Sequence, residues 1–230
     1  LKGLDVRRLI LPLGFGIIGI VILVSLGNWQ MRRLEWKEDI LAQIDARIAA
    51  DPVALPEDID PDADRYLAVT AEGLMTTEEL HVYASSKATG AIYRVIAAFE
   101  LTDGRRIMVD RGWIKPEDKA SARDEVDVRV EGNLHWPEER DSYTPENDLA
   151  ANIWFARDVD AMAAALNTAP ILIVARKTSQ INPAVTPLPV TRTGIPNDHL
   201  NYAVTWYGLA LVWLAMTLYY LRRMRAKHKV

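Results

Sequence analysis

The sequence predicts an α+β membrane protein in which two transmembrane helices flank a mainly antiparallel β outer domain. Three observations predict it. Residues Leu9–Met31 and Leu200–Leu221 are uncharged runs of 23 and 22 residues. At about 1.5 Å rise per residue, each is long enough to cross roughly 30 Å of hydrocarbon. Between them, short β-rich segments follow one another with few helical patterns. Charge divides the same way: Lys2, Arg7 and Arg8 against Asp5 give +2 before the first run, and Arg222, Arg223, Arg225, Lys227 and Lys229 give +5 after the second. The chain's net −4 therefore leaves −11 in the middle. The positive-inside tendency then places both termini in the cytoplasm and the middle outside it, as in a multi-pass protein of a bacterial inner (cell) membrane with a periplasmic domain.

The elements follow in order. Residues 1–8 form an N-terminal cytoplasmic tail and 9–31 the first transmembrane helix. Its apolar core is longer than the roughly 7–15 residues of a signal peptide, so a retained anchor is expected. Residues 32–199 form the outer domain, opening on MRRLEWKEDILAQIDARIAA, where Leu34, Trp36, Ile40, Leu41, Ile44 and Ile48 make one stripe at three- and four-residue steps. That segment predicts a helix of about four turns, continuous with the span. DPVALPEDIDPDAD breaks it with three prolines and six acidic residues.

RYLAVTAEGLM, ELHVYASS, IYRVIAAFEL, RRIMVDRGWI, VDVRVEGNLHW and PILIVARK then predict strands. The third and fourth form a hairpin across Thr102-Asp103-Gly104. DVDAMAAAL predicts a short helix, and SQINPAVTPLPVTRTGIPND an irregular stretch. Consecutive strands with few helices favour an antiparallel sheet or a small barrel. Residues 200–221 form the second transmembrane helix and 222–230 a basic cytoplasmic tail.

The search for chemistry is mostly negative. The chain has no cysteine, which excludes disulfides, thiol exchange and thiolate metal ligation. It lacks phosphate-binding, dinucleotide, zinc-protease and nucleophile-elbow motifs. Its four histidines, His81, His135, His199 and His228, share no local metal spacing. The sequence therefore indicates no enzyme. His199 stands apart, at the entrance of the second span. On a helix starting near Asn197 or Asp198, His199, Tyr202, Ala203, Trp206 and Ala210 share one face. The small alanines would leave room beside Trp206 for a flat ring, with the imidazole reaching its iron. An ordinary interfacial histidine among belt aromatics fits the same pattern. Asn197 or Asp198 is expected to cap the helix. In VDRGWI, Gly112 suits a bulge or a close backbone approach, so Gly112→Glu is expected to impair folding.

Three separated elements resemble the SURF1/Shy1 family of cytochrome c oxidase assembly factors: LGNWQMRRLEWK at 26–37, VDRGWI at 109–114 and PNDHLNYAVTWYGLA at 196–210. SYTPENDLANIWFARDVDAMA at 142–163 is similar to the family's region before its late helix. Asp110 and Asp198 stand where the family often has asparagine. Trp29, Gln30, Trp36, Arg111, Gly112, Trp113, Pro196 and Asn197 are the motif residues. The resemblance implies a non-enzymatic chaperone that binds or presents haem a, transiently, during maturation of the oxidase catalytic subunit. It implies His199 as the metal ligand and Trp206, with Tyr202 beside it, as haem contacts. Arg32 and Arg33 either pair with haem carboxylates or anchor the helix among lipid phosphates. The implied partners are the oxidase catalytic subunit, haem a synthase and the lipid bilayer, and no nucleic acid. The alternative is a scaffold without haem that stabilises an oxidase assembly intermediate.

Overall fold

The computed structural model describes residues 6–86, 90–181, 184–192 and 195–227. Lys2, Asp5, His228 and Lys229 of the expected tails lie outside the described residues, as do the side chains of Arg7, Arg8 and Lys227. The chain divides into two compact units, Leu1–Gln43 with Thr193–Val230, and Ile44–Arg192.

The first unit is a pair of helices, both long and apolar enough to cross a membrane. Helix α1 runs unbroken from Val6 to Ala49, so the span and the segment after it are one rod. Helix α3 runs from His199 to Lys227. The helices are antiparallel, because contacts late in α1 fall early in α3. A Cβ on Gly16 would stand 2.3 Å from Thr217, one on Gly19 2.3 Å from Trp213, and one on Gly27 2.6 Å from Tyr207. Glycine at these three positions lets α3 side chains press against the α1 backbone. Trp213 Nε1 donates to the Gly16 carbonyl at 3.1 Å, and Tyr207 Oη donates to Asn28 Oδ1 at 2.7 Å.

The second unit is built on a six-stranded, mostly antiparallel sheet. Its strands are β1 (Val53–Ala54), β2 (Ala68–Ser86), β3 (Gly90–Leu101), β4 (Arg106–Ile114), β5 (Val126–Leu134) and β6 (Leu172–Thr178). The order is β1-β2-β3-β4-β6-β5, and β2 also pairs with β5, so the pairing returns to β2. One feature differs from the sequence expectation. The first two expected strands are one strand, β2, in which Thr76, Thr77 and Glu78 stand opposite Ala98 alone. The Thr76 hydroxyl bridges that irregularity by donating to the Ala98 carbonyl at 3.0 Å. The β1–β2 and β4–β6 pairings are parallel, so the sheet is mixed.

Successive side chains of the central strands join alternate clusters, as a period of two requires. Ala97, Phe99, Ile107, Val109, Ile173 and Ala175 join one cluster. Ile96, Ala98, Met108, Leu172 and Val174 join another, covered by Trp154 and helix α2 (Val159–Leu166). With both faces buried, β3, β4 and β6 read as almost continuous apolar runs. Asp158 caps α2 by accepting from Ala161 N at 3.1 Å, and Asn167 ends it in the left-handed region at φ 51°.

Candidate functional site

At the junction where α3 begins, His199 Nδ1 lies 2.9 Å from Gln30 Oε1 of α1. Gln30 is only 8% exposed. An amide oxygen can only accept, so Nδ1 donates in this contact, which in the neutral ring leaves the lone pair on Nε2. A ring nitrogen fixed in this way is the usual arrangement behind a metal-ligating histidine. The two membrane-flanking motifs thus meet through Gln30 and His199, 169 residues apart. Asp198 immediately precedes the helix, and its carbonyl accepts from Tyr202 N at 3.2 Å. Asn197 Oδ1 is buried without a hydrogen-bond partner, so it does not serve as the cap.

The remaining expected residues divide by exposure. Ala203 and Ala210 are 1% and 7% exposed and lie between the α3 contacts with α1, which run from His199 through Tyr207 to Trp213. They belong to the helix contact and leave no bed for a flat ring, contrary to the sequence reading. Trp206 is half-buried on the same stripe, and Tyr202 is exposed beside it. Arg32 and Arg33 are exposed, and Arg33 sits 3.9 Å from the centre of the Trp36 ring, a cation–π contact. Trp29 and Trp36 are about half exposed, so Trp36 leaves the stripe expected for it, while Leu34 and Leu41 stay buried. Pro196 is exposed. An apolar groove of about 890 Å³ lies by Trp213 and Tyr220. Trp213 is about 21 Å along α3 from His199. Among the described residues, no group of three or more His, Asp or Glu side chains is placed to hold a metal ion. One axial ligand to a haem requires no such group.

In the sheet domain, Arg111-Gly112-Trp113 forms a bulge. Val95 pairs with Gly112 and Ile96 with Asp110, which leaves Arg111 as the extra residue. Trp113 and Thr186 exchange backbone hydrogen bonds of 2.8 and 3.0 Å across it. Two charged clusters here escaped the sequence reading. Asp110, fully buried, accepts from Arg94 Nε at 2.8 Å and Arg157 Nη1 at 3.3 Å. Glu79 accepts from Arg123 Nε at 2.8 Å, with His81 Nε2 at 2.9 Å from the same oxygen. Burial alone would raise the Glu79 pKa, but hydrogen bonds from His81 and Arg123 outweigh it and hold it at about 2.

Burial pushes the His135 imidazole down to about 4, assisted by the Arg157 charge. His135 stacks on Tyr66 with ring centres 5.3 Å apart. A folded value below the ordinary 6.5 means that the unfolded chain binds more protons between pH 6.5 and 4. Stability contributed by His135 is therefore full above pH 6.5 and lost as pH falls towards 4. The carboxylate of Glu79, held below its ordinary 4.5, adds a further loss between pH 4.5 and 2. We expect the melting temperature of purified protein to fall more gently from pH 6.5 to 4 in His135→Phe than in the native chain. Identical slopes in that window would reject the assignment.

Comparison with known proteins now bears on both units. The model of the SURF1 family matches residues 17–211. Surfeit locus protein 1 of Homo sapiens is 31% identical over 211 residues, covering 81% of this chain and 69% of the human protein. The Takifugu rubripes protein of the same name is 32% identical over 212 residues, covering 80% and 86%. A SURF1-like protein of Monosiga brevicollis is 29% identical over 223 residues, covering 88% and 85%. These relatives are eukaryotic, which overturns the expected placement in a bacterial inner membrane with its periplasmic and cytoplasmic sides. Charge asymmetry distinguishes two sides of a membrane but not which membrane it is. The matched region takes in the whole sheet domain, the Gln30–His199 contact, most of α1 and the first part of α3, and the chain belongs to the SURF1 family.

Proposed function

We propose that the protein acts in the assembly of cytochrome c oxidase, holding haem a at the start of α3 for the catalytic subunit. Membership of the SURF1 family supports the assembly role. The observation that carries the haem reading is the Gln30–His199 contact, which fixes the ring with Nε2 as the electron-pair donor. Haem a, when bound, would supply an iron centre for His199 to ligate. Because Ala203 and Ala210 are closed off, Tyr202 and Trp206 are the side chains of this α3 face that would be available to contact the haem. Arg32 and Arg33, exposed on α1 within one turn of Gln30, are available to propionates. The partners are the oxidase catalytic subunit and haem a synthase, in the lipid bilayer.

The closed face at Ala203 and Ala210 also favours a second reading, in which the helix pair is a scaffold that carries no haem. Pigment analysis of protein purified from cells making haem a separates the two. We expect stoichiometric haem a in the native protein and its loss in His199→Ala, with the sheet domain's melting unchanged. Gln30→Leu is expected to weaken haem binding by about 10- to 100-fold, the usual effect of removing a partner behind a metal ligand. Haem content and iron spectrum unaltered in His199→Ala would sink the ligand assignment. Co-purification of the oxidase subunit with haem-free native protein would establish the scaffold instead.

A further inference from the structure

The apolar groove by Trp213 and Tyr220 has no part in the haem reading. It has a volume of about 890 Å³, within the range of roughly 300–1,000 Å³ typical of ligand pockets. Its walls include Ile10, Pro12, Gly14 and Phe15 of α1 and Met216 and Tyr220 of α3. The helices touch at Gly16, where a Cβ would strike Thr217, and Phe15 meets Trp213 with ring centres 5.3 Å apart. That contact floors the groove. Two residues further out, Gly14 has nothing within 4 Å of where its Cβ would stand, so among the described residues this end of the helix pair is left unfilled. Among the described residues the groove carries no carboxylate, and its one tryptophan N–H and one threonine hydroxyl are spent on the backbone carbonyls of Gly16 and Trp213. Its walls therefore suit a hydrocarbon chain.

The mouth has the opposite character. Tyr219 and Tyr220 are exposed, as aromatic residues at the headgroup level are. One turn beyond stand Arg222, Arg223 and Arg225, all exposed, and no acidic residue follows Asp198 to the end of the chain. At about 100° per residue, Arg223 lies seven residues from Met216 and only about 20° from its direction. From the same Met216 direction Arg222 lies about 120° round the helix and Arg225 about 180°. One guanidinium therefore rises over the groove, and the other two do not. We propose that this groove seats an acyl chain of an anionic glycerophospholipid, whose phosphate is met by Arg223. The chain runs inwards from Tyr220 to the Phe15–Trp213 floor, about 10.5 Å for seven residues of α3.

Native mass spectrometry of the full chain tests this with phosphatidylglycerol and phosphatidylcholine of identical acyl chains as probes. We expect phosphatidylglycerol to be retained about fivefold better, the factor that roughly 1 kcal/mol per basic residue gives. Arg223→Gln should abolish that preference, and Arg222→Gln should keep it. Gly14→Phe should expel both lipids while the sheet domain melts as in the native protein. If Gly14→Phe does not fold, Met216→Trp fills the same groove from α3. Equal retention of the two headgroups by the native chain would overturn the proposal. So would retention unaffected by filling the groove, or a dimer in which a second copy covers it. None of these outcomes depends on haem content, so the lipid and haem readings stand or fall separately.

Discussion

Gly112→Ala destabilises the sheet domain by about 2–6 kcal/mol, the combined range of backbone strain and overpacking, and Gly112→Glu prevents folded protein from accumulating. The backbone at Gly112 has φ 121°, a conformation that L side chains rarely adopt. A Cβ there would stand 2.0 Å from the Thr186 carbonyl oxygen and 2.6 Å from Pro187 Cα. Both atoms are backbone, so no side-chain rotation relieves the overlap. The segment cannot retreat either, since Trp113 and Thr186 are tied by their reciprocal hydrogen bonds. Glutamate adds a buried, unpaired carboxylate to the same clash. Against a total stability of roughly 5–15 kcal/mol, the alanine variant should still permit a urea melt. The predicted loss is read there, and an unchanged midpoint with normal abundance of Gly112→Glu would reject it.

That glycine was legible in sequence because its signal is local: an apolar strand with one glycine before an aromatic residue. The two long helices were legible for the same reason, since charge-free runs and a three- and four-residue stripe need no knowledge of partners. The central strands were legible as elements, but not as a sheet. The parallel β4–β6 pairing joins Met108 to Leu172, and nothing near either residue announces it. Periodicity also placed Ala203 and Ala210 correctly on the stripe of His199 and Trp206, yet could not say that α1 presses on the helix there. Small residues leave room in isolation and invite a neighbour in a bilayer. The Gln30–His199 contact needed the antiparallel helix pair, and family resemblance pointed to both residues before geometry joined them. Ion clusters were the least legible, because Glu79 and Arg123, or Asp110 and Arg157, are each more than forty residues apart among many exposed charges.

The second large effect belongs to Asp110→Ala, which we expect to cost about 3–5 kcal/mol, the usual penalty for removing one partner of a buried ion pair. The carboxylate is 0% exposed and is used from every side. Oδ2 takes Arg94 Nε at 2.8 Å, Arg94 Nη2 at 2.6 Å and Arg157 Nη1 at 3.3 Å, while Oδ1 accepts the Gly112 N–H at 3.1 Å. Burial would lower the Arg157 pKa, but Glu139 and Asp110 outweigh it and raise it. Arg94, Arg157, Asp110 and Glu139 balance in charge, so deleting Asp110 leaves one excess positive charge on Arg94 and Arg157, whose side chains are almost shut off from water. Arg157 keeps its hydrogen bonds to Glu139, whereas among the described residues Arg94 keeps a hydrogen bond only to the Leu188 carbonyl, at 3.1 Å. Arg94 is therefore the group that bears the penalty. Replacing it as well, in Asp110→Ala with Arg94→Met, should recover a large part of the loss, because an apolar side chain needs no counter-charge. A chemical-denaturation cycle over the four proteins measures this directly. A single Asp110→Ala variant within about 0.5 kcal/mol of the native chain, the range of an ordinary surface substitution, would show that the cluster is not held by that carboxylate.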